Sequence, residues 1–176
     1  MDRLPEPLTS FRQFVEADLR RGARLIIKVQ DMLDPQVRMA SPDGDYTIAL
    51  TLPADTYERK RVLRRLSNFM AWKQAPSFIW TSELVEPDCV YSLGVSHREV
   101  HACTALISRE PRPWTKTNFG LVQWLERTQI GNEMIEILPR GERSLSTKDL
   151  EELQEWFGNG GKYPAVHIPT GAIGIE

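Results

Sequence analysis

Apolar and polar residues alternate most regularly over residues 77–108, SFIWTSELVEPDCVYSLGVSHREVHACTALIS. A period of two sustained over that length predicts strands. Two turn signals, Glu86-Pro87-Asp88 and Ser96-His97-Arg98-Glu99, divide the stretch into an antiparallel meander of three. Two-residue connections at both turns set Val95 opposite Val100, Leu93 opposite Ala102, Tyr91 opposite Thr104 and Cys89 opposite Leu106. Across the first turn they set Leu84 opposite Cys89, Ser82 opposite Tyr91, Trp80 opposite Leu93 and Phe78 opposite Val95. All of these share one face, because a one-residue slip would send every side chain to the other side. That face is apolar almost throughout. The reverse face holds Thr81, Ser92 and Cys103 in one row, Ile79, Gly94 and His101 in the next, and Glu83, Val90 and Ala105 in a third.

The rest of the chain follows other periods. Ser10 and Gln13 form a capping box that opens a helix, with Phe11, Val15, Gly22, Leu25, Val29 and Leu33 at helical spacing. The run Leu25-Ile26-Ile27-Lys28-Val29 suits a strand as well, so residues 22–33 stay open between helix and strand. Asp34-Pro35 ends the segment. Residues 36–52 read as a hairpin about the Pro42-Asp43-Gly44 turn. Asp55 or Thr56 caps a helix that runs to about Lys73. Its apolar stripe is Val62, Leu63, Leu66, Phe69 and Met70, with Trp72 as a further candidate, and its opposite face carries Arg59, Lys60, Arg61, Arg64 and Arg65. Residues 118–138 read as mainly helical, Ser146-Thr147 opens a last helix, and a short strand fits residues 163–168.

This order, α-ββ-α-βββ-α-α, predicts an α+β protein: a roughly five-stranded antiparallel sheet with helices packed on it. Residues 9–168 form a single domain, between a loose N-terminal segment at 1–8 and a mobile tail at 169–176. A chain of 176 residues can bury a core without disulfides or a structural metal. No apolar run reaches the ~20 residues of a membrane span, and the first residues lack an export signal, which predicts a cytoplasmic protein. The two cysteines, Cys89 and Cys103, fall on opposite sheet faces and read as reduced thiols. The net charge of −2 divides into +3 over residues 1–75 and −5 over residues 76–176. A nucleic-acid-binding domain shows a stronger basic bias than that.

Three residue sets could carry chemistry. Glu83, His101 and Cys103 share the polar face of the meander and have the types of a nucleophile, base and orienting group. His97 and His101 are four apart, a pair that could recruit His167, Cys103 or Glu99 around a metal, but structural zinc wants four converging ligands and no metal or cofactor is expected. Arg109, Arg112 and Trp114 lie in a basic, aromatic loop of the kind that anchors a partner. The basic face at 58–65 is the feature a weak nucleic-acid binder would use. Glycine patterns for nucleotide binding, HExxH, GxSxG and CxxC do not occur.

The order ββαβββ within residues 10–130 resembles that of the profilin-like folds, including roadblock, longin and sensory PAS domains. That resemblance implies a module that binds a protein partner or a small ligand, with a homodimer among its arrangements. The alternatives are a small enzyme using Glu83, His101 and Cys103, and the nucleic-acid binder through 58–65.

Overall fold

The structure, a computed structural model, describes residues 10–29, 32–42, 44–109, 117–141, 144–158 and 166–170. The element order is α1 (Phe11–Val29), β1 (Gln36–Ser41), β2 (Gly44–Ala49), α2 (Thr56–Trp72), β3 (Ser77–Val85), β4 (Asp88–Ser96) and β5 (Val100–Ser108). Then come β6 (Asn118–Phe119), β7 (Gln123–Trp124), a 3-10 turn (Arg127–Gln129), α3 (Asn132–Ile135), α4 (Thr147–Gly158) and β8 (Val166–Thr170). The strands form one open antiparallel sheet in the order β6-β5-β4-β3-β1-β2-β8, with β7 also on β5.

The meander pairs in the register its alternation predicts. Trp80 faces Leu93, which faces Ala102, while Thr81 faces Ser92, which faces Cys103. Local chemistry explains the helix starts. Ser10 N donates to Gln13 Oε1 and Gln13 N to Ser10 Oγ, at 3.1 and 3.2 Å. Asp55 accepts from Glu58 N at 2.9 Å, and Ser146 Oγ accepts from Asp149 N at 3.1 Å. These bonds satisfy amides that a helix start leaves open. Residues 22–29, open between helix and strand in the sequence, are helical.

Helices cover both faces of the sheet. On one side α2 and α4 bury Val62, Leu66, Phe69, Met70, Leu153 and Trp156 against Val37, Met39, Ile48, Phe78, Trp80 and Leu93. On the other side α1 lays Val15, Leu19 and Ile26 over Ile79, Val90, Cys103 and Ala105. Two glycines set how closely α1 approaches. A Cβ at Gly94 would lie 2.2 Å from a Val15 methyl, and one at Gly22 would lie 2.7 Å from a Thr81 methyl. Gly22, which weakens an isolated helix, is here the residue that lets the helix sit down on the strand.

The mainly helical structure expected at 118–138, in one or two pieces, is not formed. Only Asn132–Ile135 makes an α-helical turn, and β6 and β7 pair with β5 instead. Gly120 N donates to Leu106 O at 2.8 Å and Leu125 N to Ala102 O at 2.8 Å. The outer edge of β5 offers backbone groups that need partners, and meeting them outweighs the helical spacing of 118–138. The expected strand at 163–168 is found as Val166–Thr170, antiparallel to β2. Residues 1–8 and 171–176 lie outside the described residues, and so does Asp43 of the hairpin turn.

Candidate functional site

The face that carries Glu83, His101 and Cys103 is a covered seam. Its centre is Asp18, which α1 delivers onto the sheet although it lies on the apolar stripe of the helix. Asp18 accepts from Thr81 Oγ1, from Arg21 Nε at 2.9 Å and from Arg38 on β1 at 3.1 Å. Thr81 also shares a hydrogen bond of 3.0 Å with Ser92, and Arg21 donates to Gln36 at 2.9 Å. Asp18, Arg38, Thr81 and Ser92 are all buried. Charges can sit in such a place only when they are paired and hydrogen-bonded. The sequence reading missed Asp18, Arg21 and Arg38. The available signal was a carboxylate three residues after Val15 and seven after Phe11, on the very face the helix buries.

The three candidate catalytic residues go to separate partners. Cys103 is fully buried at the floor of the seam, and burial, with Glu16 adding, pushes its thiol up to about 12. His101 bonds through Nε2 to Glu99 Oε2 at 2.8 Å. Its ring lies between Phe11 and Trp124, with centroids at 6.4 and 6.2 Å. Arg12 stacks over the far partner, Trp124, at 4.1 Å. Glu83 accepts the Leu33 amide at 2.9 Å and is paired with Arg109. Arg109 also reaches Asp88 at 3.1 Å, so this arginine clasps the end of β5 to the β3–β4 hairpin. Cys89 is buried on the opposite face, its thiol raised by burial and by the charges of Asp88 and Glu83. Arg112 and Trp114 of the loop lie outside the described residues.

The two described histidines part company. His101 belongs to the seam, whereas His97 is exposed at the tip of the β4–β5 turn. Among the described residues no group of three or more His, Cys, Asp or Glu side chains could hold a metal. His167 is on β8 and its side chain lies outside that description. On α2 several cations of the basic face have protein partners: Arg61 pairs with Glu58 at 3.2 Å, Arg64 with Asp149 at 3.8 Å, and Arg59 bonds Pro53 O at 3.4 Å.

Open space is found at the other end of the meander. Two clefts of about 680 and 760 Å³ adjoin there and share His97 and Gly141. The smaller runs between Met70 and Ala71 of α2, with Gln74 just beyond its end, and the residues Pro139, Gly141 and Ser144. The larger has an apolar floor of Val95, Val100, Ile135 and Leu138, and its rim carries His97, Arg98, Arg127 and Arg140. The local backbone is firmly built. Ser96 N donates to Glu99 O at 2.9 Å, and Ser96 Oγ accepts from the amides of Arg98 and Glu99 at 3.2 and 3.0 Å. On the facing wall Arg127 donates to Ile130 O at 3.2 Å and to Asn132 Oδ1 at 3.0 Å. Gly141, at φ +77°, turns the chain in the left-handed region that glycine tolerates.

The chain is an α+β protein with helices on both sheet faces and two adjoining clefts at the β4–β5 turn. No family model, no curated protein and no solved structure matches the chain. Among the described residues no helix is long and apolar enough to cross a membrane.

Proposed function

We propose that this protein is a small-ligand-binding module and that its site is the pair of clefts at the β4–β5 turn. One observation carries the reading: the concave surface, about 680 and 760 Å³ in its two parts, lies at the β4–β5 turn with its floor on the sheet face opposite α1, and only Glu99, bonded to His101, joins its rim to the seam. Ligand sites are concave and set convergent polar groups beside apolar surface, and the larger cleft joins an apolar floor to a predominantly polar rim. Both cysteines are free thiols, which fits a reducing compartment, and we infer the cytoplasm.

The test is native mass spectrometry of the purified protein together with a thermal-shift screen of small metabolites. His97→Trp and Ser144→Trp would each fill cleft space from an exposed position. Stabilising ligands should lose their effect in these variants. Hits that act equally on the wild type and both variants would move the site elsewhere.

A second reading, a protein-interaction module with a second copy as partner, is favoured by the far end of the sheet. There Leu84 and Leu106 are 40% and 51% exposed on strands that flank Cys89. Sedimentation equilibrium of the wild type and of Leu84→Ser/Leu106→Ser decides it: a dimer lost in the variant supports it, and a monomeric wild type removes it.

A further inference from the structure

We propose that the larger cleft recognises the anionic group, phosphate or carboxylate, of a small ligand whose apolar part lies on the Val95–Val100–Ile135–Leu138 floor. This rests on the reading of the clefts as the binding site and names the ligand's chemistry.

Charge is the first support. Three arginines and a histidine line one cleft, and the only carboxylate among its described lining residues is Glu99. Glu99 is already bonded to His101. These cations come from the half of the chain whose net charge is −5, so their gathering runs against the local composition. The second support is how the cations are held. Both terminal nitrogens of Arg127 are fixed by the protein, at Ile130 O and Asn132 Oδ1, which sets a permanent positive charge at the rim. Among the described residues no hydrogen bond or ion pair engages the guanidinium of Arg98 or Arg140. Their forks are available to a planar or tetrahedral oxyanion, the groups that a guanidinium meets with two parallel bonds. The third support is the floor. Ile135, Leu138 and Val95 are almost fully buried, so a ligand seated over them leaves little water around the rim charges, and the charge–charge attraction strengthens as water leaves.

The experiment is a titration of ¹⁵N-labelled protein followed by amide NMR shifts. Phenyl phosphate and benzoate carry the two anions on an apolar body, and phenol supplies the body without charge. Both anionic probes should shift the amides of residues 96–100, 138, 140 and 141 at low salt, with an ordering between them that tells phosphate from carboxylate. Arg98→Ala/Arg140→Ala should raise Kd about tenfold, one charge-assisted contact's worth, while Arg98→Lys/Arg140→Lys keeps part of the binding. Both positions are exposed and unpaired, so the variants should fold, which their spectra would verify. Equal binding of phenol would overturn the anion inference while leaving the ligand-binding reading standing. An unchanged Kd in the alanine variant, or no shifts from any probe, would also overturn it.

Discussion

The two faces of the sheet meet their helices by different rules. Beneath α2 and α4 large side chains interlock: Phe69, Phe78, Trp80, Leu66 and Met70 fill the space between layers. Tyr46 meets Phe69 edge-on with centroids 5.5 Å apart. Beneath α1 the space is thinner. Gly22 and Gly94 remove two side chains, the helix settles close, and Asp18 is pressed against Thr81, Ser92 and Arg38. The first face tolerates shape changes among apolar groups. The second has to pair the charges it buries, because an unpaired charge there finds no water, although Arg38 Nε itself is buried without a hydrogen bond. The polar sheet face of the sequence is, in the structure, a buried polar seam between helix and sheet.

The comparison can be broken most forcefully at Asp18. Asp18→Ala leaves the Arg38 guanidinium buried without its carboxylate and should destabilise by about 3–5 kcal/mol in urea unfolding. Asp18→Leu/Arg38→Met removes both charges and should recover most of that loss. A double variant no better than Asp18→Ala would mean that the pair is not what the seam depends on. Next in size comes Gly94→Ala, which places a methyl where Val15 already sits and should cost about 1–3 kcal/mol through displacement of α1. A neutral Gly94→Ala would show that the helix has room to lift.

The smallest effect concerns pH. The Cys103 thiol holds its proton up to about 12 in the folded protein, whereas an unfolded thiol releases it near ~8.5. Between those values the unfolded chain binds fewer protons than the folded one, so stability falls as pH rises, and below that window this group changes nothing. Its share of the slope approaches about 1.4 kcal/mol per pH unit. Measured from pH 7 to 10, the decline should be shallower in Cys103→Ala. Cys89, with a thiol raised in the same direction, keeps a residual slope.

What the sequence made legible follows from period. The meander register could be read because one pairing alone puts Phe78, Trp80, Leu93, Val95 and Ala102 on one face, and the structure has that pairing. Helix starts were legible at Ser10, Asp55 and Ser146, where a cap acts within three or four residues. The covering of the polar face was not. An antiparallel sheet with a polar side is usually solvated there, and the identity of Asp18 as the partner of Thr81 depends on a separation of 63 residues. The segment 118–138 was misread because its apolar spacing suited a helix, while the decisive factor was the unpaired edge of β5. The cleft was illegible for a related reason. Its arginines come from position 98 in a turn and from positions 127 and 140, and nothing local ties them together.

The claim that the Glu83–His101–Cys103 face is a closed structural seam is tested most directly by labelling Cys103. In a Cys89→Ala background, iodoacetamide should react with Cys103 in the native protein only as fast as the seam opens, with no acceleration near neutral pH, and at the ordinary thiol rate once urea unfolds the chain. Rapid native labelling with an apparent pKa well below that of a free thiol would contradict the seam and return this face to catalysis.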